Sequence, residues 1–317
     1  MAASTAPTAP MGRAIRHPGL HDASGAELPG RLIELAGSDT YVVDAGDGPP
    51  VLLLHGFADT ADSWRRVVPR LLTAGHRVVA IDVPPFGRST DPADKDGSTL
   101  VDWYSRFMQE LRDELELEEV TLVGHSLGGA IALGTALEQP EAVDRLGLIA
   151  PAGLGGSPPW WWHAVAGRPV NWAALLKLPN PVAGQAIKTG VRSFLEGGLM
   201  HDARGMEDVI DHFVALHGGR VELAKLLATG RDLIPGYDGT LIQRVGELDC
   251  PVTVIWGRED RLAPLEHGEA FAQAVPHAVV CILEQCGHYP QIELPSRVSD
   301  TLEELLQAPR RSRALET

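Results

Sequence analysis

Basic residues are the minority charge in this chain: 27 lysines and arginines stand against 42 aspartates and glutamates, a formal net charge of -15. A nucleic-acid partner needs a basic surface, so that function class is excluded. Nor is there an electrostatic reason to dock on an anionic membrane; the acidity suits a solvated surface. Cysteine is scarce as well. Cys250, Cys281 and Cys286 are an odd set without CxxC spacing, which excludes a disulfide framework and gives no metal-ligand pattern. Reduced thiols fit a cytoplasmic location. No apolar run is long enough to span a bilayer. The first thirty residues lack even the seven-residue apolar run of a secretory signal. Residues 1–29, rich in Ala, Pro, Thr and Gly, read as a disordered tail. Arg13 and Arg16, with no acid before Asp22, leave organellar targeting open.

What is present is a chain that is 44% hydrophobic, enough for a sizeable core. Strand-length apolar runs at 31–35, 40–44, 51–54, 77–81, 120–123, 145–149, 252–256 and 279–283 alternate with amphipathic segments at 62–74, 100–115, 127–139, 265–274 and 295–307. Val51-Leu52-Leu53-Leu54 and Val78-Val79-Ala80-Ile81 are apolar throughout, as strands buried on both faces of a parallel sheet must be. The first two runs alternate and are joined by Ala36-Gly37-Ser38-Asp39, the pattern of an antiparallel hairpin at a sheet edge. The expected fold is therefore α/β, a mostly parallel sheet with helices on both faces. Between residues 152 and 246 the periodicity is helical and strands are not evident. That predicts a core of residues 30–151 and 247–310 carrying a helical cap at 152–246.

The strongest local signal is Gly124-His125-Ser126-Leu127-Gly128, a G-x-S-x-G match after a strand and before a helix. A strand turning sharply into a helix lifts a serine hydroxyl above the sheet, and the crowding beside it calls for glycine. A nucleophilic serine needs a base and a place for negative charge. Leu54-His55-Gly56-Phe57 follows a strand and can aim a backbone N–H at the site, so Phe57 and Leu127 are the expected oxyanion donors. His55 is read either as a loop-binding residue or as lining the pocket. His288, in Gly287-His288-Tyr289-Pro290 after the last strand, is the expected base. The acid comes from Trp256-Gly257-Arg258-Glu259-Asp260: Asp260 is favoured over Glu259, giving the chain order Ser, Asp, His. Cys286, two residues before His288, is set aside as nucleophile because Ser126 is better placed. Asp82 reads as structural, and Arg88 as a pocket residue or an exposed cation.

These motifs, with Asp82-Val83-Pro84-Pro85-Phe86-Gly87-Arg88-Ser89, resemble the α/β-hydrolase superfamily between about Gly30 and Leu306. The resemblance is to its serine-nucleophile, esterase- and lipase-like branch. It implies an acyl-enzyme mechanism without cofactor or metal, acting on a small carboxylic ester, and the aromatic residues between 152 and 246 favour an apolar acyl or aromatic substrate. Epoxide hydrolases and haloalkane dehalogenases share the plan but carry aspartate at the nucleophile position. Carbon–carbon bond hydrolases keep serine, usually with asparagine before it, where this chain has His125. They remain the alternative, together with biosynthetic acyl transfer or cyclisation and a non-catalytic ligand receptor. In the cap, Trp160, Trp161, Trp162, Trp172, Phe194 and Phe213 are expected either to pack the helices or to roof the pocket. Tyr289 is the remaining pocket candidate.

Overall fold

All eight apolar runs form strands of one sheet: β1 (Gly30–Leu35), β2 (Ser38–Ala45), β3 (Pro50–Leu54), β4 (Arg77–Ile81), β5 (Val120–His125), β6 (Val143–Ile149), β7 (Val252–Gly257) and β8 (Val279–Leu283). The structure is a computed structural model that describes residues 18–92, 100–155, 180–196, 200–201, 203–217, 219–233 and 239–309. The spatial order is β1-β2-β4-β3-β5-β6-β7-β8. β2 pairs antiparallel with both β1 and β4, and the remaining pairs are parallel.

This order places the site. The chain runs from β3 outward to β4, then crosses back to β5 on the other side of β3. β3 and β5 therefore flank the point where the winding reverses, and ligands of open α/β sheets bind beyond the carboxyl ends of such strands. The loops that leave those two ends begin at His55 and at Ser126.

The helices are α1 (Val68–Thr73), α2 (Leu100–Glu114), α3 (Leu127–Glu138), α4 (Asn180–Glu196), α5 (Ala203–His217), α6 (Arg220–Leu233), α7 (Leu265–Ala274), α8 (Pro290–Glu293) and α9 (Pro295–Gln307). Successive side chains of a strand point to opposite faces. Leu52 and Leu54 accordingly join a core with Trp103, Phe107, Leu133 and Trp256, while Val51 and Leu53 join another with Trp64, Val68, Val298 and Leu302. Both cores are apolar, and β3 and β4 accordingly carry no polar side chain beyond the half-buried Arg77.

Two expectations change. The single helix expected at 62–74 divides into a 3₁₀ turn, Ala61–Trp64, and α1. Pro69 has no N–H to give and fits only in a first turn, so a new helix starts around it. The tail expected through residue 29 is folded from residue 18 on. Leu20 is buried in the second core, Leu28 N–H donates to Leu20 O at 2.8 Å, and His21 bridges Glu27. Leu20 and Leu28 lie too far apart in a Gly-rich stretch to show a period.

Among the described residues between 156 and 246 there is no strand; α4, α5 and α6 are followed by two 3₁₀ turns. Met206 and Ile210 of α5 meet Leu195 of α4 and Ile292 of α8 in a small third cluster. Leu223, Leu226 and Leu233 of α6 reach the first core. Trp160, Trp161, Trp162, Trp172 and the side chain of Phe194 lie outside the described residues. Among the described helices none is long and apolar enough to cross a membrane.

Candidate active site

Ser126 sits between β5 and α3 with φ 52° and ψ −113°, a left-handed conformation that a serine adopts only when its surroundings enforce it. They do. Its N–H donates to Ile149 O at 2.9 Å, and its carbonyl accepts from Ala130 N and Ala152 N at 3.0 and 2.9 Å. A Cβ on Gly124 would lie 2.2 Å from Gly128 O, and one on Gly128 would lie 2.3 Å from Leu54 O. The glycines of the motif are thus demanded by strand and helix passing in backbone contact.

His288 and Asp260 come to this serine from the ends of β8 and β7. His288 Nε2 is 3.0 Å from Ser126 Oγ, and Nδ1 is 2.7 Å from Asp260 Oδ2. Asp260 Oδ1 accepts from Leu262 N and Ala263 N at 2.8 and 2.9 Å. The carboxylate is therefore held from behind. It can only accept at Nδ1, so the ring proton belongs there and Nε2 presents its lone pair to the serine hydroxyl. Both acid and imidazole are buried. The rival carboxylate, Glu259, points elsewhere and accepts from Cys286 N at 2.9 Å and Gln285 N at 3.3 Å. Cys286 is fully buried, and its thiol is pushed far up by burial and then by Glu293, Asp260 and Glu259. No thiolate nucleophile arises there.

Two residues hold His288 that sequence reasoning did not assign. Glu293 accepts from Gly287 N at 3.0 Å and Tyr289 N at 3.2 Å, bracketing His288. His125 Nε2 lies 2.7 Å from His288 O, so it donates to that carbonyl, and the two rings sit 4.9 Å apart. Burial, then His288, keeps the His125 imidazole far below its ordinary titration range, hence neutral. A carboxylate five residues after a histidine has no signature outside this turn.

The expectation that His55 lines the pocket is corrected. Its Nε2 accepts from Val83 N at 2.7 Å and its Nδ1 donates to Gly56 O at 2.7 Å, with the ring fully buried. Both nitrogens serve the loop. The following Gly56 is pressed on Ser126: a Cβ there would lie 3.2 Å from Ser126 Cβ. Phe57 comes next, its ring edge-on to Phe86 at 5.2 Å. Leu127 opens α3, where the first N–H groups have no partner within the helix. Arg88 is neither an exposed cation nor a pocket residue. It binds Asp82 at 2.6 Å and Asp62 at 3.1 Å and lies 3.8 Å over the Tyr41 ring. Asp82 also accepts from Ala61 N at 2.7 Å, the turn-fixing role expected of it.

Tyr289 lies beside His125 and His288, at 5.1 and 5.5 Å between ring centroids. It lines a cavity of about 30 Å³ with Ala58, Asp59, Arg65, His212 and Phe213. α5 closes this cavity and is fastened to the loop after Phe57. His212 Nε2 is 2.9 Å from Thr60 Oγ1, and His217 Nε2 donates to Ala58 O at 3.1 Å. Arg65 and Arg66 both reach Asp208, at 3.0 and 3.2 Å. Ala58 itself has φ 62°, a conformation this fastening helps to hold.

His217 makes the fastening sensitive to acid. Burial lowers its titration from 6.5 to about 4; the bond to Ala58 O works in the opposite sense and His212 adds to the lowering. Between pH 6.5 and 4 the unfolded chain binds a proton that the folded chain refuses. Stability is therefore complete above that window and falls as pH drops through it. A shift of this size corresponds to on the order of 3 kcal/mol. His217→Gln keeps an N–H for Ala58 O, and it is expected to lose this part of the fall in melting temperature. His125 supplies a remaining slope. A melting profile identical in the variant would show that His217 is not the titrating group.

Residues 49–295 match the family model described as alpha/beta hydrolase fold. A 2-hydroxy-6-oxononadienedioate/2-hydroxy-6-oxononatrienedioate hydrolase of Comamonas testosteroni is 32% identical over 258 residues, 80% of this chain and 86% of that protein. An uncharacterized protein of Mycobacterium tuberculosis is 30% identical over 272 residues, 83% of this chain and 76% of that protein. Among solved structures, 2-hydroxy-6-oxo-6-phenylhexa-2,4-dienoate hydrolase from Rhodococcus sp. strain RHA1 superposes with a TM-score of 0.71 at 25% identity, covering 88% of this chain and 100% of that chain. A carboxylesterase from Bacillus subtilis shares the fold, with a TM-score of 0.69 at 18% identity over 89% of this chain and 92% of its own. The chain belongs to the alpha/beta-hydrolase fold family and is a hydrolase.

Proposed function

We propose that Ser126, His288 and Asp260 are a catalytic triad, and that the chain hydrolyses the carbon–carbon bond beside a ketone in a small vinylogous diketone. The observation that carries the triad is the continuous hydrogen-bonded line from the half-buried Ser126 Oγ through buried His288 to buried Asp260. The bond class rests on the relatives named above, two of which are named for 2-hydroxy-6-oxo acids.

Ser126 Oγ adds to the ketone carbon as His288 Nε2 takes its proton. The carbonyl oxygen gathers negative charge on the N–H groups of Phe57 and Leu127. Collapse breaks the carbon–carbon bond. The departing carbon is conjugated with a second carbonyl, which makes it a tolerable leaving group, and it receives the proton from His288. Water then adds to the acyl-serine, with His288 again as base, and one acid and one protonated carbon fragment result. Asp260 fixes the imidazole tautomer and stabilises the imidazolium in both halves.

A second reading, hydrolysis of an apolar ester by the same steps, is favoured by one observation. His125 stands before the nucleophile, where carbon–carbon hydrolases usually have asparagine. Its ring is committed to His288 O and offers the substrate no amide. The two readings separate in one assay. We expect kcat/KM for 2-hydroxy-6-oxo-6-phenylhexa-2,4-dienoate to exceed that for 4-nitrophenyl butyrate by about a hundredfold or more, a difference of about 2.7 kcal/mol in barrier. The reverse order would replace the first reading by the second.

A further inference from the structure

We infer that the cavity beside Tyr289 is a subsite for a hydrogen-bond donor, a hydroxyl or ammonium group at one end of the substrate, with Asp59 as its acceptor. The inference rests on the reading of Ser126 as nucleophile, since that is what makes this cavity part of a substrate site.

Asp59 lies two residues after Phe57 and is 9% exposed. Its Oδ1 accepts from Thr60 N at 2.8 Å. Its Oδ2 is buried and has no hydrogen-bond partner among the described residues. A buried carboxylate oxygen without a donor is costly, and this one belongs to a residue that lines a cavity. The space, about 30 Å³, suffices for one polar group, since a water needs on the order of 10–15 Å³.

Of the other polar groups lining the cavity, Ser63, His212, Arg65 and Asp208 are engaged. Ser63 Oγ accepts from Gln291 Nε2 at 3.0 Å, and His212 Nε2 is bonded to Thr60 Oγ1. Arg65 donates to Asp62 O at 3.2 Å and to Asp208 at 3.0 Å. The charged lining is thus Asp59 and Asp208 against Arg65 alone. That balance repels a carboxylate and attracts a cation or a neutral donor. Tyr289 lines the cavity and packs edge-on to His288, at 5.5 Å between ring centroids, which sets the cavity beside the imidazole that meets Ser126. A substrate with a carboxylate at both ends, as the dienedioate name of the Comamonas relative implies, is disfavoured at this end.

The test uses calorimetry with four straight-chain alkylboronic acids, which add Ser126 Oγ to boron, ending in methyl, hydroxyl, ammonium or carboxylate and compared at each length from three to six carbons. At the length that reaches Asp59, the wild-type protein is expected to bind the ammonium and hydroxyl compounds at least about tenfold more tightly than the carboxylate, about 1.4 kcal/mol. Asp59→Asn is expected to remove most of that difference and to leave the methyl compound unchanged. Equal affinities in the wild-type protein at every length, or a uniform shift of all four compounds in Asp59→Asn, would overturn the inference. The wild-type ranking needs no variant to fold. Ser126→Ala separates the two claims: loss of all four compounds alike supports the nucleophile. Affinities retained in Ser126→Ala together with the terminal-group preference would remove the nucleophile reading and keep the donor site.

Discussion

Ser126→Ala lowers kcat by about 10⁶-fold, and His288→Ala in the same chain adds little further, because triad members act as one unit. The Ala variant keeps the backbone conformation that Ile149, Ala130 and Ala152 impose on the turn. The proposed oxyanion donors and the binding surface therefore survive, and roughly 10³–10⁴-fold catalysis over water is expected to remain. Burst kinetics with a chromogenic substrate read the loss directly, and a fluorophosphonate adduct found by peptide mapping reads the site. A label on Cys286 or on another serine would withdraw the assignment. So would additive losses in the double variant.

Asp260→Asn is expected to lower kcat by about 10⁴-fold while the protein stays folded. Leu262 N and Ala263 N both donate to Oδ1. In asparagine those two donors select the amide oxygen, so the NH₂ must turn toward His288 Nδ1. The imidazole then carries its proton on Nε2 and cannot take one from Ser126. Glu259→Gln makes the contrast. Glu259 binds the Gln285 and Cys286 amides and not the imidazole, so its loss lowers the melting temperature and leaves kcat within a small factor. If Glu259→Gln proves the more damaging to kcat, the acid is misassigned.

The sheet and its helices are legible in the sequence because their signals are local. Val51 to Leu54 and Val78 to Ile81 are apolar at every position, and only a strand covered on both faces keeps such a run dry. The hairpin of β1 and β2 shows as alternation with turn residues between. Ser126 is legible because glycine is forced on both sides of it by backbone contact, which leaves a spacing in the sequence. The order of β3, β4 and β5 is not written in any window, although it decides which loops meet.

What was not legible depends on partners far along the chain. Arg88 could not be placed without Asp62 and Tyr41, and His55 could not be taken from the pocket without the Val83 amide. Glu293 and His125 support His288 by hydrogen bonds to the backbone of its loop, and such bonds impose no periodicity. Leu20 falls within the expected tail because one buried leucine between Gly19 and His21 makes no pattern. His125 favoured ester hydrolysis by its type, whereas the identity to carbon–carbon hydrolases is spread over four-fifths of the chain.

The bonds from α5 to the loop after Phe57 bear on how this scaffold can be recombined. His217 and His212 of α5 meet Ala58 and Thr60, and Asp208 of the same helix meets Arg65 and Arg66. α4 to α6 are therefore not an exchangeable module. A graft of another relative's helices would leave the Ala58 carbonyl without its His217 partner and Arg65 and Arg66 without Asp208, next to the Phe57 N–H proposed as an oxyanion donor. Residues 57–66 and α5 form one heritable block, and a chimera that exchanges substrate range has to carry both or neither.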